Sequence, residues 1–568
     1  MYRIAALFMG LCLLVGVTIA QDEPPLDPDV IGAPGVGDPY FPTEGNGGYD
    51  VVNYNLDFDV EISDNTMEAV VTISAIATQD LGRFNLDFEG FRISELMVND
   101  LPAEFERTAG ELIITTPDIL AEGDPFTVTI TYSGKPGWTY YGTGAFIAGE
   151  PSEAPKLYPV NAHPIDKATY RFEVTARDAY VVAANGLLQE IIDHPDETST
   201  HIWLAESPMT SYLVTVAVGD YRLETEETPD GLPIRNYFAT TLPPGTVDTF
   251  ERTSEMIAFF EAVFGPYPFE VYGVVVHPVP LGFALETQTL STFGSTINQE
   301  FIVAHELAHQ WFGDSVSLTR WSDLWLNEGF ASYAEVLWTE HTEGRDAADA
   351  SIRQRYTLIA APDPIAGTLN RASLNNFLNS ANEAASFDDI LFSAADTRWI
   401  IELFLGETLS AEEIEDIIAT LPTLAVTGED IRTTLREAEF NRVTLRVSQV
   451  AEFLRLIGAE EDADALVERS RAQRRAGDPT PEFLFSVGVY QRGALTLHAL
   501  RLEIGDEAFF ETLQTYTSRF ANRNATTEDF INIAEEISGQ ELDAFFEAWL
   551  YDPLVPNIAQ MELFRDEL

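Results

Sequence analysis

From Tyr49 to about Tyr237, apolar and polar residues alternate in short runs separated by turn residues. Residues 51–58 form one run, 126–132 a second that closes on Ser133-Gly134, and 170–174 a third. A period of two predicts strands with one buried face, and the turn signals between them predict an antiparallel β domain. After about residue 245 the period changes. Residues 250–264 carry the spacing of an amphipathic helix and stop at Gly265-Pro266. Helical spacing then dominates to about residue 550, apart from a strand expected at 271–276. Residues 372–476 stand out as a very polar helical stretch, with helices expected at 410–420, 428–438 and 446–457. The pattern divides the chain into a linker at 21–38, a β domain at 39–240 and a mainly helical domain at 241–556. That last domain carries a helical insertion at 372–476, and a tail follows at 557–568.

Composition adds scale. A chain of 568 residues, 45% of them hydrophobic, can fill several packed cores. Asp and Glu number 92 against 32 Lys and Arg, a formal charge of −60, and only Lys135, Lys156 and Lys167 are lysines. Such a field repels phosphate backbones, so nucleic acid is excluded as a partner. It reads otherwise as a solvated acidic surface.

The first residues have the layout of a secretory signal at 1–20. Arg3 precedes an apolar stretch from 4 to 19, and Thr18 and Ala20 are small residues before Gln21. The expectation is a secreted or extracytoplasmic protein, periplasmic or held by an uncleaved signal anchor, with no other membrane span. Cys12, the one cysteine, falls inside this stretch, so thiolates are excluded as metal ligands in the mature chain. The final four residues, Arg565 to Leu568, resemble an endoplasmic-reticulum retrieval signal but read more simply as an acidic tail.

The chemistry concentrates at His305-Glu306-Leu307-Ala308-His309. On a helix, positions i and i+4 lie about 40° apart on one face, so two imidazoles can share one metal ion. The glutamate beside the first histidine then stands where it can take a proton from water held on that ion. Glu328 follows with eighteen residues between it and His309. Two histidines and a glutamate make a three-ligand set that leaves one position of a tetrahedral zinc open. Phe301, Ile302, Leu307 and Phe312 are expected to bury the rest of the helix, and Gly313 to end it. Asn327 and Asp323 are the nearest candidates to orient the ligands, or else to cap the helix that carries Glu328.

These residues, with the flanking Gln310-Trp311-Phe312-Gly313-Asp314 and Trp325-Leu326-Asn327-Glu328-Gly329-Phe330-Ala331, resemble the gluzincin aminopeptidases, the family of alanyl aminopeptidase and leukotriene hydrolase. The resemblance covers roughly 38–371 and 477–556 and departs from the family at Asp314, commonly Asn. It implies an α+β multidomain fold: a saddle-like N-terminal antiparallel β domain, then a mainly helical thermolysin-like zinc peptidase domain. It implies one zinc ion on His305, His309 and Glu328, with Glu306 as general base. Gly282-Phe283-Ala284-Leu285-Glu286-Thr287 resembles the family's G-x-M-E-N segment. By that likeness Glu286 binds the substrate α-ammonium, and Gly282, Phe283 and Ala284 hold the peptide backbone. Glu150 is similar in position to a second amine-binding residue. Tyr490-Gln491-Arg492-Gly493-Ala494 resembles the family's Y-x-K-G-A, which makes Tyr490 the oxyanion donor, although 161 residues separate it from Glu328. The expected partners are peptides with a free N-terminus, and the expected reaction is removal of the N-terminal residue. An endopeptidase or epoxide hydrolase on the same site, or a zinc protein that binds peptides without cleaving them, are the alternatives.

Overall fold

A computed structural model gives the structure. It describes residues 28–567 except 109, 297–298, 362–364, 371–372, 374–376, 379–386, 406–408, 422–425 and 439–441. The expected signal at 1–20 lies outside the described residues, as do parts of the 372–476 stretch. Among the described residues, no helix is long and apolar enough to cross a membrane.

The alternating runs build an eight-stranded sheet. Its order is Leu187–Asp193, Thr198–Thr210, Lys167–Arg177, Tyr49–Glu61, Thr66–Ala77, Pro125–Gly134, Arg92–Val98 and Leu101–Pro102. In Thr66–Ala77 every second side chain, from Met67 to Ala77, is buried, as a period of two requires. One pairing departs from the antiparallel expectation. Tyr49–Glu61 and Lys167–Arg177 run parallel, Asn53 opposite Thr169. Alternation specifies which face is buried, not which distant strand lies alongside, so this pair was not readable from the pattern.

A four-stranded sheet joins the two halves of the chain. Tyr221–Glu227 and Pro233–Ala239 pair with each other, and Tyr272–Val276 and Ser291–Phe293 extend the sheet in parallel. All five residues of Tyr272–Val276 are buried, as expected for a strand covered on both faces.

Four helices then frame the site: α1 (Thr253–Phe264), α2 (Glu300–Ala308), α3 (Trp325–Glu343) and α4 (Arg345–Ala360). The first begins three residues later than its hydrophobic spacing suggests, because Asp248–Phe250 forms a separate 3₁₀ turn. A later helix, Gly493–Ile504, packs across α3 where two glycines meet. A Cβ on Gly493 would lie 2.7 Å from the Cα of Gly329, and one on Gly329 would lie 2.9 Å from the Cα of Gly493. Only glycine at both positions permits this approach.

One apolar core runs from Tyr49 to Leu563 and includes both the β sheet and these helices. A second, separate core spans Leu378 to Ala463. Its helices include Ala411–Ala419, Gly428–Glu437 and Val447–Leu456. Two of them start on reciprocal caps, Ser410 with Glu413 and Thr427 with Asp430.

Candidate active site

Helix α2 is short and almost wholly buried from Val303 to Ala308. Phe301 breaks the expected pattern: it is 48% exposed and lines a separate surface cavity with Leu358. The small and aliphatic side chains of Val303, Ala304, Leu307 and Ala308 do the packing instead, since they fit against the neighbouring helices. His305 and His309 stand on one face, with ring centroids 4.7 Å apart. The chain turns after His309 through Gly313, whose φ is +130°. A Cβ there would come within 3.2 Å of Asn327 Nδ2 and 3.4 Å of His309 Nδ1.

Glu328, on the first turn of α3, meets both rings. Its Oε2 lies 3.2 Å from His305 Nε2 and 3.5 Å from His309 Nε2. Bonds of about 2.0–2.1 Å in a tetrahedral zinc site put neighbouring ligand atoms about 3.3 Å apart. Both Glu328 distances match that spacing, and ligand atoms of His305, His309 and Glu328 all lie within 4.8 Å of one another. The other ring nitrogens are engaged elsewhere. His309 Nδ1 donates to the Phe312 carbonyl at 2.9 Å, and His305 Nδ1 donates to Glu335 Oε1 at 2.8 Å. Those bonds leave both Nε2 lone pairs directed at the common point.

The orienting groups are not the ones expected from sequence proximity. Asp323 pairs with Arg320 and accepts from Thr527 Oγ1, and Asn327 donates to the Tyr212 hydroxyl. Glu335 orients His305. It lies seven residues after Glu328, two helical turns on and on the same face of α3, a spacing that could have revealed it. Its second oxygen accepts from Arg355 Nη2 at 2.7 Å. Arg355, on α4, also donates to the side-chain oxygen of Gln491, next to Tyr490. A chain of polar contacts therefore joins a metal-side histidine to the tyrosine segment.

Tyr490 lies in a π-helical turn, Gly488–Arg492, at the head of Gly493–Ile504. The glycine crossing at Gly329 and Gly493 draws this turn onto α3, and the Tyr490 ring stacks 6.0 Å from that of His305. Arg492 is fully buried and anchors the turn. Its Nε donates to Trp549 O at 2.6 Å and its Nη2 to Ala548 O at 2.9 Å.

A cavity of about 400 Å³ opens beside His305 and Glu328. Glu150, Glu286, Glu306, Glu328, His305 and Tyr490 all face it, as do Phe283 and Ala284. Gly282 does not; a Cβ added to it would meet no atom within 4 Å. Glu286 is 2% exposed, held by a backbone bridge between Leu285 and Thr292 and by Gln310, whose Nε2 donates to its carbonyl at 3.0 Å. The Oε1 atoms of Glu286 and Glu150 are both buried without a hydrogen-bond partner. Burial pushes both carboxyls up, and for Glu150 the nearby Glu286, Glu328 and Glu306 push further. Burial raises Glu306 to about 8 against the pull of His305 and His309. No lysine or arginine lines the cavity among the described residues. A buried set of carboxylates with unused oxygens is built to receive cations.

The chain as a whole is similar to known proteins. Residues 249–455 and 454–549 match the peptidase family M1 domain, and residues 51–213 match the peptidase M1 N-terminal domain. The chain belongs to peptidase family M1. It is 26% identical to an M1 zinc metallopeptidase of Deinococcus radiodurans solved with the substrate Tyr-Ser-Ala. That likeness has a TM-score of 0.67 and covers 92% of this chain and 99% of that one. A glutamyl aminopeptidase of Rattus norvegicus is 27% identical over 334 residues, and an aminopeptidase A of Gloydius brevicauda 32% identical over 203. These matches take in 51% and 33% of this chain, and only 35% and 21% of the relatives' own length.

Proposed function

We propose that this chain is a zinc aminopeptidase that removes the N-terminal residue of peptides. The observation that carries this reading is the pair of buried, unpartnered carboxylate oxygens on Glu286 and Glu150, facing the same cavity as His305 and Glu328 of the triad. An α-ammonium is the peptide group that satisfies them. Charge-assisted bonds to it hold the first peptide bond at the triad and leave room for one residue only on the amine side.

One zinc ion fits the Nε2 atoms of His305 and His309 and the Oε2 of Glu328; when bound, it acts as a Lewis acid toward the scissile carbonyl and the attacking water. Glu306 takes the proton from that water on its carboxylate and returns it to the leaving amine nitrogen. The Tyr490 hydroxyl donates to the oxygen that gains negative charge. Glu335 and Arg355 hold the His305 ring in the orientation that presents Nε2. The Phe283-Ala284 backbone runs along the cavity wall, where an extended peptide can pair with it.

The deciding experiment compares aminoacyl amides with free and N-acetylated amines, with and without chelator. Hydrolysis that needs the free amine and stops with metal removal is expected. Equal turnover of the acetylated substrates would make the enzyme an endopeptidase.

A further inference from the structure

The cavity has an apolar side that the chemistry above does not use. Phe283 and Phe485 both line it, yet they remain 47% and 42% exposed. Large aromatic side chains left open inside a concave site are surface waiting for an apolar group. Phe485 also lines the neighbouring cavity with Phe41, Pro151, Phe483 and Leu484, so it is the partition between the two. It comes from the stretch just before Tyr490, far in sequence from Phe283.

The polar side of the cavity carries Glu150, Glu286, Glu306, Glu328, His305 and Tyr490, with no arginine or lysine among the described lining residues. Away from the metal ligands, an acidic side chain entering there meets Glu150 and Glu286 with no arginine or lysine beside them, and like charges in a desolvated site repel. The rat relative is named for glutamyl substrates; this cavity lacks a cation to recognise one.

Building on the aminopeptidase reading, we infer that the side chain of the substrate's first residue packs between Phe283 and Phe485, so that the enzyme selects aromatic and large apolar N-termini and rejects acidic ones. The aromatic walls reward the apolar area that a ring buries, and the carboxylates exclude aspartate and glutamate.

The test separates binding from turnover. Zinc-loaded Glu306→Gln protein is titrated calorimetrically with L-phenylalanine, L-alanine and L-glutamate. Phenylalanine is expected to bind tightest, and glutamate about a hundredfold more weakly, the scale on which a mismatched polar group is rejected. Adding Phe485→Ala should cut the phenylalanine-to-alanine ratio about tenfold and leave alanine binding unchanged. Phe485→Leu, which keeps the partition apolar, should cut it about threefold, the margin of an aromatic pair. Thermal unfolding of each variant checks that it is folded. Glutamate binding as tightly as phenylalanine, or a ratio indifferent to both Phe485 changes, overturns the proposal. Binding of N-acetylphenylalanine amide as tight as that of phenylalanine amide, with the phenylalanine preference intact, overturns only the aminopeptidase reading. No binding of any of the three amino acids overturns both.

Discussion

The two walls of one cavity are assembled in opposite ways. The metal side comes from a single stretch, His305 to Glu328, on two successive helices. The substrate side comes from four places: Glu150 before a turn, Glu286 beside a bridged strand, Phe485 in a loop and Tyr490 in a π-helical turn. The first wall follows largely from local geometry, because i, i+4 spacing puts both histidines on one face wherever the helix forms. The second exists only once the β sheet, α3 and Gly493–Ile504 have packed. A short span of chain can thus hold the metal, whereas recognition and transition-state contacts draw on the whole fold. Arg355 bridges the two walls, through Glu335 on one side and Gln491 on the other, beside the direct stacking of Tyr490 on His305.

Substitutions can weigh these two walls separately. Glu306→Gln removes the proton acceptor from the metal side and should lower kcat by about 10²–10⁴-fold, the usual range for a general base. Metal content measured by mass spectrometry should stay unchanged, because the three ligand atoms are intact. Tyr490→Phe removes a single donor from the substrate side, with an expected loss in kcat of about 10²–10³-fold and little change in KM. If KM rises instead while kcat holds, Tyr490 binds substrate and does not stabilise the oxyanion. Glu286→Gln should lower kcat/KM for free-amine substrates about ten- to a hundredfold, equivalent to one charge-assisted bond of about 1.5–3 kcal/mol. Acetylated substrates should be indifferent to it, so an equal loss on both would assign Glu286 a structural role. The smallest effect should come from Arg355→Met, which leaves Glu335 without its cation. Zinc affinity, read by competition with a chelator, should fall about tenfold, as for other groups that orient ligands. If kcat also falls at saturating zinc, the contact to Gln491 conveys the change to Tyr490.

Much of the architecture was legible from spacing. The alternation in Thr66–Ala77 matches its buried face, and the strand expected at 271–276 forms at Tyr272–Val276. The helices expected at 410–420, 428–438 and 446–457 form at Ala411–Ala419, Gly428–Glu437 and Val447–Leu456. The convergence of His305, His309 and Glu328 followed from helix geometry and one further spacing. The parallel partner of Tyr49–Glu61 was not legible, because strand choice depends on contacts far apart in the chain. Phe301 was misjudged for a related reason: apolar character does not say which flank of a short helix meets solvent.

By itself the sequence determined that His305 and His309 share one face with Glu306 beside them, since a period of 3.6 residues places those groups wherever the helix forms. It also set the chemical type of each wall, carboxylates and aromatics rather than thiols or lysines. Tertiary structure alone decided that Tyr490, 162 residues beyond Glu328, lies against His305, through a crossing that only Gly329 and Gly493 allow. It alone chose Glu335 over Asp323 as the partner of His305, and placed Phe485 as the partition of the cavity. Local periodicity is written in neighbouring residues, whereas these contacts arise only when distant segments share one core.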